Sequence, residues 1–216
     1  MRLRFEGWIA GIGTRSGVRL VVGHWVRSPF GAFADVMIER GGGERLLLAP
    51  SRGIADFVAA TYAFDEVRVV PVRVAVAERG WTVAAPYLDL RFGTGGRGGL
   101  GWLLRAVPGA LAARPAWSAL VDVPARLLPG VRTCGRSGAG RREWYGVRDL
   151  LPIVTAHATF EGADLGPLAP VEPPVRFGFG SVPRGPAAVR LTTTVELGGR
   201  GAERHGGGAA RSCRGP

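Results

Sequence analysis

Lysine, asparagine and glutamine are missing from all 216 residues, so the 28 basic positions are arginine throughout. A GC-rich coding sequence produces such a gap, and part of the Arg, Gly, Ala and Pro content reflects codon supply rather than a site. The gap also removes chemistry. Without lysine there is no lysine Schiff base to a carbonyl substrate or pyridoxal cofactor and no P-loop lysine on a nucleotide phosphate. Without asparagine there is no N-glycosylation acceptor. Only Cys134 and Cys213 are present, which rules out a disulfide framework. Three dispersed histidines, His24, His157 and His205, give no metal-ligand spacing with them, so neither a metal nor a cofactor is expected.

Long apolar runs are also lacking. The best candidate, Leu100 to Leu128, is interrupted by Arg105, Pro108, Arg114, Pro115, Asp122 and Pro124, and falls short of the roughly 18 residues a membrane span needs. Met1-Arg2-Leu3-Arg4-Phe5-Glu6 carries no signal-peptide apolar core. A cytoplasmic protein without a transmembrane segment is therefore expected. The formal charge of +11 would draw polyanions if it were clustered. Here the arginines are scattered, and the densest groups lie in Arg126 to Arg148 and the Gly-rich tail. This pattern reads as a solvated basic surface, with binding to nucleic acid or another anionic surface as the alternative.

What is present is period-two alternation. Leu3, Phe5 and Ile9 share one face against Arg2, Arg4 and Glu6, and Arg19 to Trp25 reads as the partner strand. Phe33 to Glu39 and Arg45 to Leu48 flank a Gly41-Gly42-Gly43 turn. Val67 to Ala77 and Trp81 to Phe92 read as a hairpin joined at Arg79-Gly80. Pro152 to Phe160, Val175 to Phe179 and Val189 to Leu197 are the later strands. One helix is expected from Ser51 to Ala63, with Ser51 as N-cap and Ile54, Phe57, Val58 and Thr61 as its buried stripe. Prolines divide the 100–128 insertion into short helical pieces. The expectation is one α+β domain over residues 1–197, mainly antiparallel, its sheet curled or closed into a barrel. Residues 198–216 lack apolar periodicity and read as a disordered tail.

Gly23-His24-Trp25, Ser28-Pro29-Phe30-Gly31, Phe33-Ala34-Asp35-Val36-Met37, Leu47-Leu48-Ala49-Pro50, Arg142-Glu143-Trp144-Tyr145-Gly146 and Val175-Arg176-Phe177-Gly178-Phe179-Gly180 together resemble a group of uncharacterised proteins from high-GC actinobacteria. The resemblance spans Arg2 to Val195 and implies no activity and no catalytic residue.

Three clusters carry candidate chemistry. Gly93-Thr94-Gly95-Gly96-Arg97-Gly98 fits a dinucleotide fingerprint, with Asp122 downstream, but its preceding strand alternates Asp89 and Arg91 with apolar residues. A flexible loop entering the insertion is the preferred reading. His24 and Asp35 with Glu143 form the candidate acid-base set. His157, on a polar strand face between Thr155 and Thr159, reads as solvent-exposed. Arg142, Trp144 and Tyr145 concentrate charge and aromatic surface, and with His24 they form the candidate ligand-binding set. The function expected from these features is binding of a small, partly apolar ligand by a β-rich domain. Acid-base catalysis by His24, Asp35 and Glu143 is the enzymatic alternative. Oligomeric state is not legible.

Overall fold

The computed structural model describes residues 1–106, 134–136, 142–178 and 182–197. Most of the expected insertion, Asp122, His205, Cys213, the side chain of Cys134 and the tail lie outside these residues. Strands β1 (Arg2–Thr14), β2 (Arg19–Arg27), β3 (Phe33–Glu39) and β4 (Arg45–Ala49) form an antiparallel meander. Its third turn is closed by the Arg40 N–H on the Glu44 carbonyl, and Gly43 there takes a φ of 93° that favours glycine. Helix α1 (Arg52–Ala59) follows, with the Ser51 hydroxyl accepting the Ile54 N–H. Ile54, Ala55 and Val58 turn inward as the helical period requires.

The two apolar runs expected as one hairpin are four strands. Pro71, which lacks an N–H, divides the first into β5 (Glu66–Val69) and β6 (Arg73–Ala77). Pro86-Tyr87 divides the second into β7 (Gly80–Ala85) and β8 (Leu88–Thr94). Strand β5 pairs parallel to β4, the one parallel pair among the described strands, while β6, β7 and β8 continue antiparallel. Helix α2 (Gly99–Ala106) begins the insertion, and β9 (Cys134–Arg136) precedes a single long strand, β10 (Arg142–Phe160). That strand unites the expected Arg142 region with Pro152 to Phe160, bending at register shifts near Arg148 and Val154. Short strands β11 (Ala163–Asp164) and β12 (Leu168–Ala169) lead to β13 (Ala187–Glu196). Val175 to Gly178 is no strand; after Pro173 and Pro174 it runs across a sheet face instead of joining the ladder.

The ladder runs β5-β4-β3-β2-β1-β13-β10-β8-β7-β6, with β9 and β11 on β10 and β12 on β1. The sheet is therefore mostly antiparallel and large, and it is not closed into a barrel. Its ends, β5 and β6, are linked by only Val70-Pro71-Val72, so one bent segment serves as the corner between the two ends. The expected interior space is filled. Ile12, Leu20, Val36, Ile38 and Leu48 from one half meet Val83, Leu88 and Leu90 from the other, each at most 1% exposed, and Val70, Val72 and Val74 pack against them from the corner. Burial of each such side chain contributes about 1.5–3 kcal/mol.

The opposite face of β1–β4, β13 and the start of β10 is covered by α1 and by 171–177. Val171, Val175 and Phe177 pack on Val21, while α1 packs on Leu47 and Ala49. A buried ion pair fixes that cover. Arg19 lies 3.0 Å from the fully buried Glu39; its guanidinium also donates to the Pro173 carbonyl, and Glu39 accepts the Arg176 backbone N–H. Arg19→Met should lower the unfolding free energy by about 3 kcal/mol or more, because Glu39 stays buried after losing its main partner. Arg176→Ala, at a side chain 70% exposed, should cost less than about 1 kcal/mol. Urea denaturation of both variants is the measurement; equally small losses would show that the pair does not hold the cover.

Candidate functional site

Besides the Arg19–Glu39 pair, the covered face carries a second buried polar constellation. Period two places Phe33, Asp35 and Met37 of β3 on this face, together with Val21, Gly23 and Trp25 of β2. The Trp25 indole N–H donates to Asp35 Oδ1 at 3.0 Å. Gly23, directly opposite Asp35, makes room for this bond, since a Cβ there would stand 2.4 Å from Asp35 Oδ1 and 2.7 Å from Trp25 Nε1. Asp35 is 2% exposed. Burial pushes its pKa up to about 7, with the Trp25 hydrogen bond acting weakly in the other direction.

Glu143 and Tyr145, two residues apart on β10, point to the same face, opposite Val195 and Thr193 of β13. Tyr62 reaches them from the turn after α1, where its N–H bonds the Val58 carbonyl and its ring lies against Gly178. The Tyr62 and Tyr145 hydroxyls donate to Glu143 Oε2 at 2.9 and 2.8 Å and lie 2.9 Å apart. Both phenols are pushed well above their ordinary range. Burial is the main cause for each, followed by the Glu143 charge at Tyr62 and the combined Tyr62 and Glu143 charges at Tyr145. Asp35 adds to the rise at Tyr62, so both carboxyl groups act on one phenol. The phenols consequently stay protonated and serve as donors. Thr193, beside Tyr145 in the ladder, has a buried Oγ1 with no hydrogen-bond partner among the described residues. Phe5, Trp25, Phe33 and Phe57 supply the apolar surround, Phe5 stacking on Phe57 at 5.3 Å.

The structure brings Glu143 and Tyr145 together with Asp35 on this face, and sends His24 to the other. His24 pairs with Ala34 while Asp35 pairs with Gly23, so alternation separates them. The imidazole stands perpendicular to Trp81 at 5.8 Å; burial lowers its pKa, and Nδ1 is buried without a partner. Arg142 and Trp144 also point away from Tyr145. Trp144 is half-buried, with the Arg2 and Arg142 guanidinium carbons at 5.8 and 5.9 Å from its ring. His24 is three strands and several residues distant from them along the ladder. Tyr62 and Thr193 carry no local signal, because their contacts link distant parts of the chain, whereas the Glu143-x-Tyr145 spacing and the ten-residue separation of Trp25 and Asp35 are local. Gly93 and Thr94 end β8, so the expected glycine loop is shortened to residues 95–98; in it, Arg97 is held by a bidentate bond to the buried Asp149 and lies 5.6 Å from the Trp102 ring. His157 is exposed, as expected. Among the described residues no group of three His, Cys, Asp or Glu side chains fits a metal ion.

No protein-family model and no curated protein matches the chain. Two solved structures show a distant likeness. Acetoacetate decarboxylase from Legionella pneumophila is 11% identical over 90% of this chain and 84% of its own, with a TM-score of 0.41. A second acetoacetate decarboxylase structure is 9% identical with the same coverage and TM-score. A likeness this distant carries neither residues nor activity across.

The raised Asp35 pKa has a defined sign. Between the ordinary value of 3.8 and about 7 the folded chain holds a proton that the unfolded chain has released. The Asp35 contribution is thus favourable at low pH and is lost as pH rises through that window, flattening above about 8. His24 acts oppositely below 6.5, so the comparison is made between wild type and Asp35→Asn, both carrying His24. Wild type should lose stability relative to the variant from pH 5 to 8, by at most about 3 kcal/mol. Parallel denaturation profiles would show that Asp35 titrates normally.

Proposed function

We propose that the domain binds a small, partly apolar molecule against the covered face, with its polar group hydrogen-bonded by Glu143, Tyr145, Tyr62 and Thr193. The observation that carries this reading is the cluster of oxygens 2.8–2.9 Å apart inside an aromatic surround, beside a buried threonine hydroxyl with no partner. Buried polar groups cost stability unless satisfied, and a core strand has no folding need for two phenols on one carboxylate. A second reading is supported by Asp35: a carboxyl group brought near neutrality by burial suits proton transfer, with Glu143 on the same face. In either reading, the absence of lysine excludes covalent capture of a carbonyl through a lysine amine. The anionic-surface reading is the weaker one, since Arg2, Arg4, Arg19, Arg40, Arg45, Arg68, Arg97 and Arg184 are all engaged with carboxylates.

Native mass spectrometry of freshly purified full chain tests the first reading. Wild type should carry a co-purifying small molecule, with occupancy falling about tenfold in Glu143→Gln and Tyr145→Phe, the loss of roughly one charged-group hydrogen bond. Arg142→Ala should retain it. No bound mass in wild type, or loss in Arg142→Ala with retention in Glu143→Gln, would overturn the assignment. Circular dichroism melts of each variant separate lost binding from lost folding.

A further inference from the structure

A concave basin of about 520 Å³ lies on the solvent face of β6, β7, β8 and the C-terminal half of β10. The register builds it in two rows. In the first, Ala75 faces Thr82, Thr82 faces Arg91, and Arg91 faces His157. In the second, Ala77, Gly80, Gly93 and Thr155 follow one another across the same four strands. Ala77 and Gly80 offer nothing larger than a methyl group, so a flat group can lie directly on the backbone there, while the Thr155 hydroxyl stands over Gly93, 2.6 Å from where a Cβ would be, and bounds the floor. Arg91 is exposed and forms no ion pair among the described residues, in contrast to Arg40, Arg45, Arg68 and Arg97. The carboxylate on the adjoining row is Asp89, which lines a different basin with Arg68 and Glu161.

We propose that this basin binds a small organic anion whose charged group is held between Arg91 and His157 and whose flat apolar body covers Ala77 and Gly80. Side chains directly opposite on neighbouring strands have Cβ atoms about 5 Å apart, so one phosphate or carboxylate can meet both. Arg91 supplies a planar fork of donors and His157 an imidazole N–H. Thr82 and Thr155 add hydroxyls at the rim. The basin shares no residue with the covered-face cluster, so its occupancy and the reading above stand or fall separately.

The test is a titration of the full chain with phenyl phosphate, benzoate and inorganic phosphate, following the His157 ring resonances, identified by their disappearance in His157→Ala. Phenyl phosphate or benzoate should saturate with a dissociation constant on the order of 1 mM at low salt, and the stronger of the two identifies the charged group preferred. Inorganic phosphate, lacking the body, should bind at least about fivefold more weakly. Arg91→Ala should weaken the aryl anion about tenfold or more, the loss of one charge-assisted contact. Gly80→Val should weaken the aryl anion while leaving inorganic phosphate within about twofold. Arg52→Ala, an exposed arginine on α1, controls for the overall positive field. Absence of saturation by either aryl anion would overturn the proposal. So would an equal effect of Arg52→Ala and Arg91→Ala, or inorganic phosphate binding as tightly as the aryl anions.

Discussion

The Arg19–Glu39 ion pair is the interaction on which the covered side of this protein depends. Both partners lie on the meander, yet each also grips the segment after Pro170: Arg19 through the Pro173 carbonyl, Glu39 through the Arg176 N–H. A bare buried pair gains little over hydrophobic replacement, because desolvation offsets its Coulomb energy. Its value here is positional. By holding 171–177 down, it sets Val171, Val175 and Phe177 over Val21, and the Phe177 carbonyl receives the Ala63 N–H next to Tyr62. The cover and the Tyr62 hydroxyl are therefore fixed by the same anchor.

A second set of charges works at the open corner. Glu161 lies between Arg40, after β3, and Arg68 of β5, and its pKa is held near 2 by those two guanidinium groups. The same arginines lie over Phe160 and Tyr87. These contacts tie the β3–β5 side of the sheet to the end of β10 and the turn before β8 through side chains alone. They resemble a clasp more than a wall, and they leave the apolar interior filled by side chains instead of open to a ligand.

That filling moves the functional question outward. A curled sheet whose interior is a core has two remaining places for chemistry, its covered face and its exposed face. The first carries carboxyl groups and phenols buried among aromatics, with Asp35 titrating near neutrality. The second carries an unpaired arginine and a histidine over a floor of glycine and alanine. Their chemistries are opposite in sign, because burial favours neutral donors and shared protons whereas the solvent face tolerates an uncompensated cation.

Much of the architecture was legible because it is local. Alternation at Leu3, Phe5 and Ile9, the glycine turn before Arg45, and the Ser51 cap each follow from a few neighbouring residues, and each element begins where expected, although α1 ends at Ala59 rather than Ala63. Pro71 and Pro86 were visible as well, yet their consequence, four strands in place of two, depends on which neighbour each piece pairs with. Glu143 and Tyr145 could be placed on one face from their spacing alone. That Tyr62 would complete them, 83 residues from Tyr145, could not. The sequence by itself determined a β-rich chain without lysine chemistry, with two-faced strands and one capped helix, since propensity and period are properties of short windows. Only the tertiary structure decided that His24 and Asp35 part company across the sheet and that the interior is full. Strand register and the covering of a face are settled by contacts between distant segments, and a single sequence leaves those contacts unwritten.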